Sequence, residues 1–202
     1  MTRHFVVLLC IAATACSTHV TRPQAPAPTA QAQVRLAALP RVWVAGFATG
    51  LKHEFDLNAE TVRVLRTRLR TWSSAQVVEA EPLSIDSEHR LSDVVYWRRL
   101  GEEHREPLII TGSVKLRIAP ARVVQRGVRT VYAYADGRVL EATVVLIDGR
   151  TGEVLTTDKL PSRMKYGVGR FSSALSLFLQ MMDAGMSDWL DAISHAAATG
   201  TP

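Results

Sequence analysis

Three side chains that could bind a metal ion lie close together early in the sequence: His53, Glu54 and Asp56. Imidazole nitrogens and carboxylate oxygens are common metal ligands, but this spacing matches no standard site and includes only one histidine. We therefore predict a solvated loop and no metal site. The surrounding loop, 48–58, follows a strand-like apolar run, which is where α/β sheets bind ligands. A small-ligand or metal-binding module that uses this loop is our alternative interpretation of the chain.

The pentapeptide DGRTG at 148–152 contains two glycines, as phosphate-binding loops do. It lacks their Gly-Lys-Ser/Thr ending, and it joins two strand-like runs instead of leading into a helix. We predict a tight turn here. No Ser-His-Asp, Cys-His or paired-carboxylate arrangement can be recognised in the order of the residues, and the six histidines are scattered. We therefore expect no catalytic residue and no cofactor, in a protein that is not an enzyme.

Four arginines crowd one predicted helix, and three of them, Arg63, Arg66 and Arg70, lie opposite its apolar side. A basic amphipathic helix can bind anionic lipid headgroups or an acidic partner. The alternative is a solvated helix face, since Glu60 offsets part of the charge. We name these three arginines as candidate partner contacts.

Met182 and Met186 share one face of the last predicted helix with Phe178 and Trp189. Methionine side chains repack easily, so such a face can form an adaptable docking surface. Apolar residues at helical spacing also form ordinary core. We keep Met182 and Met186 as candidate partner contacts beside that alternative.

The first residues have the layout of a secretory signal: Arg3 precedes an apolar run from Phe5 to Ala15, shorter than the roughly 20 residues that span a bilayer. The run ends on Ala13-Thr14-Ala15-Cys16, which resembles a bacterial lipobox, in which the cysteine receives a diacylglycerol. The same Ala-Thr-Ala also fits the general signal peptidase, so a secreted chain without lipid is the alternative. We predict a lipid on Cys16 that anchors the protein in a membrane.

Residues after the cysteine change character at once. Ser17 in place of aspartate resembles the pattern that directs such proteins to the outer membrane, facing the periplasm. A segment rich in Pro, Ala and Gln, too polar to build a core, follows. The predicted division is a signal peptide 1–15, the lipidated cysteine and tether 16–38, one folded domain 39–197 and a tail 198–202. The net charge of +5 is far from the dense basic patches of nucleic-acid binders, and we expect no nucleic acid among the partners.

The elements that would position these residues alternate between strands and helices. We predict a strand at 41–47, a helix at 59–72 that Asn58 caps, a strand at 75–83 and a helix at about 91–104. Ser92 is the candidate cap of that second helix, and Val95, Trp97 and Leu100 are its candidate core residues.

Two antiparallel hairpins and a helix follow a β-branched strand at 107–118. Asp136-Gly137 predicts a two-residue turn of the first hairpin, and Gly149 and Gly152 predict the reversal of the second. The last helix covers about 172–195. This order indicates an α/β fold: a mixed sheet with antiparallel hairpins and about three packed helices in a single domain.

The order of elements, with the stretches ETVRVLRTRLRTW, LIITGSV and ATVVLIDGRTGEVL, resembles the periplasmic lipoprotein domains related to CsgG, to the lipoprotein activators of penicillin-binding proteins and to the amino-terminal domain of TolB. It also resembles uncharacterised bacterial lipoproteins. The resemblance covers roughly residues 40–195 and implies an envelope lipoprotein that acts as an accessory or assembly factor by contacting an envelope protein or cell-wall material. It carries over no catalytic residue.

Overall fold

The computed structural model of the chain describes residues 41–50, 53–105, 107–119, 122–126, 129–133, 137–166 and 173–198. Cys16, the predicted signal peptide and the predicted tether lie outside them. The strands are β1 (Arg41–Thr49), β2 (Gln76–Val77), β3 (Leu108–Ile118), β4 (Arg122–Arg126), β5 (Arg129–Ala133), β6 (Gly137–Asp148), β7 (Val154–Lys159) and β8 (Arg163–Tyr166). The helices are α1 (Leu57–Trp72), α2 (Val94–Glu103) and α3 (Ala174–Ala198), and a 3₁₀ helix covers Glu88–Ser92.

Six of the strands form one mixed sheet in the order β2-β1-β3-β6-β7, and β8 also pairs with β6. β1 runs parallel to β2 and β3, whereas β6 runs antiparallel to β3, β7 and β8. The long central strands β3 and β6 pair along their whole length, from Leu108 opposite Asp148 to Ile118 opposite Arg138. The predicted mixed α/β fold in a single domain is confirmed.

The two faces of the sheet bury different residues, because neighbouring side chains of a strand point to opposite faces. On one face, Val44, Ile110 and Val144 pack with α1 and α3 in the larger core cluster. On the other face, Trp43 and Ile109 pack with α2 and the 3₁₀ helix in a smaller cluster. None of the helices within the described ranges is long and apolar enough to cross a membrane.

The predicted cap of α1 was wrong by two residues. The Asp56 side chain accepts a hydrogen bond from the backbone N–H of Ala59, which makes it the N-cap. Asn58 instead forms hydrogen bonds beside a bulge in β1. In this bulge, Ala45 is an extra residue between the pairs Val44–Ile110 and Gly46–Thr111. Asn58 Oδ1 accepts from the backbone N–H of Phe47 at 2.8 Å. Its Nδ2 donates to the Leu83 carbonyl at 2.9 Å.

The predicted second helix also begins later than expected. Asp93, not Ser92, caps α2 by accepting from the backbone N–H of Tyr96, and the residues before it form the 3₁₀ helix. Trp97 and Leu100 are buried as predicted, but Val95 is 67% exposed. Because α2 is short and only one side of it meets the sheet, Val95 is left in solvent.

The strand predicted at 75–83 is reduced to two residues, β2. Beyond it the chain still follows β1, since the Val78 N–H donates to the Val42 carbonyl at 2.8 Å and the Leu83 N–H to the Ala45 carbonyl at 2.7 Å. The bulge in β1 interrupts regular pairing here, because it shifts the register of the donors and acceptors.

The first predicted hairpin was wrong and the second is confirmed. β5 pairs with β4 in a separate two-stranded sheet, whereas β6 pairs with β3, so the dipeptide at 136–137 does not join paired strands. Asp136 itself lies outside the described residues. β6 and β7 form the second hairpin, whose turn contains Gly152 at a φ of 77°.

The turn at 148–153 packs closely against α2. The Gly149 N–H donates to the Pro107 carbonyl at 3.0 Å. A Cβ at Gly101 of α2 would collide with the backbone of Gly149, and a Cβ at Gly152 would collide with the Val94 carbonyl oxygen. Glycine in the middle of α2, which weakens an isolated helix, is therefore needed for this close contact.

The outer strand of the sheet is interrupted twice. Opposite β6, Thr156 pairs with Leu146 and Val154 with Ile147, so Leu155 is an extra residue in β7. The pairing with β6 is interrupted again at 161–162, between Leu160, whose N–H donates to the Ala142 carbonyl at 2.9 Å, and Arg163 of β8.

Candidate functional site: an open sheet face

Part of the smaller-cluster side of the sheet is not covered by α2. Its polar side chains come from three neighbouring strands. We call this surface the open face and define it as Ser113, Lys115, Arg117, Glu141, Thr143, Thr157 and Lys159, of which Ser113 is buried. The pairing register brings these residues together: Thr143 lies between Ser113 of β3 and Lys159 of β7, and Glu141 lies opposite Lys115. Directly opposed residues of one sheet face are close enough for their side chains to interact.

A groove of about 430 Å³ runs over the open face beside the 3₁₀ helix. Glu88, Leu91 and Ser92 of that helix form one wall, and Val154 and Thr157 of β7 line the other side. The groove is polar where it crosses Lys115 and Lys159 and apolar at Leu91 and Val154. Its volume lies within the usual range of small-molecule sites.

Both carboxylates in the groove are held by cations. Lys115 Nζ lies 2.9 Å from Glu88 Oε1, and Arg117 pairs with Glu141 across the strands. The hydrogen bond and charge of Lys115, with a smaller contribution from Ser113, hold the pKa of Glu88 below its ordinary value. A general acid at neutral pH needs a raised pKa, so Glu88 is not placed to act as one.

The arginines of α1 are engaged within the fold. Arg66 is only 11% exposed, and its Nη2 donates to the carbonyls of Val44 and Ala80. Burial, the largest effect, lowers the pKa of Arg66. Arg63 bonds to Glu60, and Arg70 to Glu79. Arg66 and Arg70 therefore attach α1 to neighbouring segments, Arg63 pairs within the helix, and the exposed Arg63 and Arg70 are partly neutralised.

The two candidate methionines are also packed within the fold. Met182 and Met186 are 0% exposed and lie in the larger cluster between α3 and the sheet. This burial fits the core interpretation of the helix face, because a fully covered side chain offers no surface to a partner.

The loop at 48–58 offers little for a ligand in its described part. Asp56 is occupied as the cap of α1, and the His53 ring lies 6.3 Å from the ring of Phe55. Among the described residues, no three His, Cys, Asp or Glu side chains are grouped as metal ligands would be.

Sequence reasoning missed the open face, although a signal for it exists. In the strand GSVKLRI, Ser113, Lys115 and Arg117 alternate with apolar residues, and Glu141 and Thr143 alternate in the same way in β6. Alternation along two central strands marks one face that is left to solvent. The wall supplied by the 3₁₀ helix has no comparable signal.

No protein-family model and no curated protein sequence matches the chain. Solved structures of similar fold include the PelC dodecamer from Paraburkholderia phytofirmans, with 16% identity over 85% of this chain and 94% of that chain and a TM-score of 0.46. Lipoprotein GNA1162 from Neisseria meningitidis is 11% identical over 75% of this chain and 97% of that chain, with a TM-score of 0.41. A minor lipoprotein from Acinetobacter baumannii is 11% identical over 78% of this chain and 94% of that chain, with a TM-score of 0.40. Identities and TM-scores this low say nothing about what this chain does.

Proposed function

We propose that this chain is a lipid-anchored protein of the bacterial envelope that acts without catalysis, as an accessory or assembly factor, by holding an envelope protein on the open face of its sheet. Anchoring follows from Cys16 at the end of the apolar run and from the polar tether after it. The outer membrane, with the domain facing the periplasm, is the location that Ser17 supports.

The observation that carries the contact surface is the open face itself. Helices α1 and α3 cover one side of the sheet, but on the other side a groove with charged and hydroxyl-bearing side chains is left accessible. Its carboxylates are already paired with Lys115 and Arg117, which favours recognition over proton transfer. Exposed polar surface on a rigid sheet is well suited to binding, because ordering it costs little conformational entropy.

Site-specific photo-crosslinking in living cells tests the contact. A photoreactive residue at Thr157 on the open face is compared with one at Thr67, an exposed threonine on α1. We expect one partner protein to be crosslinked from Thr157 and not from Thr67. We expect Thr157→Arg to abolish the co-purification of that partner with this chain without changing the Tm of the chain. Crosslinks of equal yield from both positions would contradict the assignment of the open face.

Incorporation of labelled fatty acid tests the anchor. The wild-type chain should become labelled, and Cys16→Ser should remove the label. A labelled Cys16→Ser chain, or an unlabelled wild-type chain, would contradict the lipid-anchor proposal.

A further inference from the structure

Charge along the open face is not balanced. Two of its cations are paired, Lys115 with Glu88 and Arg117 with Glu141. Lys159 is the third cation, which lines the groove and is exposed to solvent. No carboxylate in the part of the chain that the structure describes forms an ion pair with Lys159. One positive charge in the groove is therefore available to a ligand.

Two threonine hydroxyls lie on the same face as Lys159. Thr143 of β6 is its partner across the strands, and Thr157 precedes it by two residues on β7. Neither threonine side chain is hydrogen-bonded to another described residue. A carboxylate at this end of the groove can accept from the ammonium group and from the hydroxyls. One unpaired cation favours a carboxylate over a phosphate, which carries a charge of about −1.5 to −2 at neutral pH.

The other end of the groove is apolar. Val154 is 41% exposed there, and Leu91 lines the groove from the 3₁₀ helix. Their two segments meet, because Gly152 of the turn before Val154 lies against the carbonyl of Val94, the first residue of α2. The Val94 side chain is also 41% exposed. An apolar side chain bound at this end would remove apolar surface from water, which is favourable.

The pairing register sets the distance between the two ends. Lys159 is opposite Thr143 of β6, and Val154 is opposite Ile147, so four residues of β6 separate them. At a rise of about 3.3 Å per residue, the separation is about 13 Å. An extended peptide that lies along the groove covers this distance in four residues. Its residues i and i+4 face the same side, so both can contact the groove.

We propose that the groove binds an extended segment of the partner protein in which an acidic residue and an apolar residue occupy positions i and i+4. The carboxylate lies beside Lys159, where it neutralises the unpaired charge, and the apolar side chain packs against Leu91 and Val154. This inference rests on the proposed function, because it names the chemistry of the segment that the open face holds.

Selection of random heptapeptides displayed on phage tests this inference. The full chain, kept in detergent and immobilised through a tag after Pro202, is compared with its Lys159→Gln variant. We expect the peptides selected by the wild-type chain to carry an acidic and an apolar residue at positions i and i+4, in either order. We expect the peptides selected by Lys159→Gln to lose the acidic residue and to keep the apolar one.

Titration of the chain with one selected peptide, made synthetically, measures the two contacts separately. Lys159→Gln should weaken the binding of this peptide about tenfold, and Val154→Thr should weaken it about fourfold. Lys165→Gln and Val95→Thr are the matched controls, since they change the same side chains at exposed positions outside the groove and should leave the binding unchanged. Lys159→Arg keeps the charge and should retain binding. Equal Tm values show that all the variants are folded.

Several results would overturn the inference. They are a selection that enriches no acidic residue, an i, i+3 spacing as frequent as i, i+4, and equal losses in Lys159→Gln and Lys165→Gln. Tighter binding of octanoate than of the selected peptide would also overturn it, because the groove would then belong to a small amphiphilic acid.

The photo-crosslinking experiment separates this inference from the proposed function. A partner that is crosslinked from Thr157 and binds Lys159→Gln as tightly as the wild-type chain would refute this inference and leave the open face as the contact. Crosslinks of equal yield from Thr157 and Thr67 would contradict the proposed function, whichever peptides the groove selects.

Discussion

Asn58 should contribute more to stability than the residue that caps α1. Its side chain accepts from the Phe47 N–H at 2.8 Å and donates to the Leu83 carbonyl at 2.9 Å, and both groups are partly buried. Asn58 bridges these two groups, so deleting its amide removes this partner from both of them. Asp56, in contrast, makes one exposed hydrogen bond, to Ala59.

The expected magnitudes follow from these bonds. A hydrogen bond contributes about 1 to 1.5 kcal/mol net, and leaving a buried donor or acceptor unpaired raises the cost. Asn58→Ala loses two such bonds and should lower the free energy of unfolding by about 2 to 3 kcal/mol. Asn58→Asp keeps the acceptor for Phe47 but places a carboxylate oxygen against the Leu83 carbonyl, so it should lose at least about half of that. Asp56→Ala removes an N-cap and should cost about 1 kcal/mol.

Equilibrium urea unfolding followed by tryptophan fluorescence measures the order of these losses. Gln180→Ala is the matched control, because this amide makes one exposed bond within α3, and its removal should change the free energy by less than about 0.5 kcal/mol. If Asp56→Ala destabilises the chain more than Asn58→Ala, then Asn58 does not support the bulge and the reasoning is refuted.

Three further predictions concern packing and pH. Gly101→Ala should cost more than about 3 kcal/mol in urea unfolding, since its Cβ collides with backbone, whereas Gly50→Ala, where the space is open, should be nearly neutral; equal effects would contradict the close contact. Met182→Ala should cost about 2 to 5 kcal/mol and Met164→Ala, at an exposed position, less than about 0.5 kcal/mol, so a neutral Met182→Ala would contradict the buried position. Because the pKa of Glu88 is lower in the folded state, its ion pair stabilises the fold above the unfolded pKa, and this stabilisation is lost as the pH falls through the folded pKa. Glu88→Gln should therefore destabilise the fold by less than about 1 kcal/mol at neutral pH and not at all in strong acid. An effect of Glu88→Gln that persists in acid would contradict the ion pair.

Much of the fold could be predicted from the sequence where the pattern is long. The apolar spacing of α1 and α3 and the β-branched residues of β3 were sufficient to predict these three elements, because each element buries one continuous face. The caps were missed because Asp56 and Asn58, like Ser92 and Asp93, are both good capping residues within a few positions of each other. In α1, the tertiary contact of Asn58 with Phe47 and Leu83 decides that Asp56 and not Asn58 caps the helix.

Pairing between distant strands could not be predicted. The Asp-Gly dipeptide at 136–137 is a strong local hairpin signal, but β6 is long and apolar enough to lie in the centre of the sheet and pairs with β3 along its full length. Burial of one face of β6 along the strand, and of both faces at Val144–Ile147, outweighs a local turn preference. The groove was missed for the same reason, since the 3₁₀ helix reaches Lys115 only through the folding of the chain.

The interrupted outer strand has a consequence for a protein held at a membrane, as we propose for this one. Confinement to a surface raises the local density of copies, and an unbroken strand edge would then act as a template for chain-to-chain polymerisation. The extra residue at Leu155 and the interruption at 161–162 break that edge, and the opposite edge, β2, has only two residues. Copies crowded in two dimensions would therefore meet through side chains and not through shared backbone hydrogen bonds.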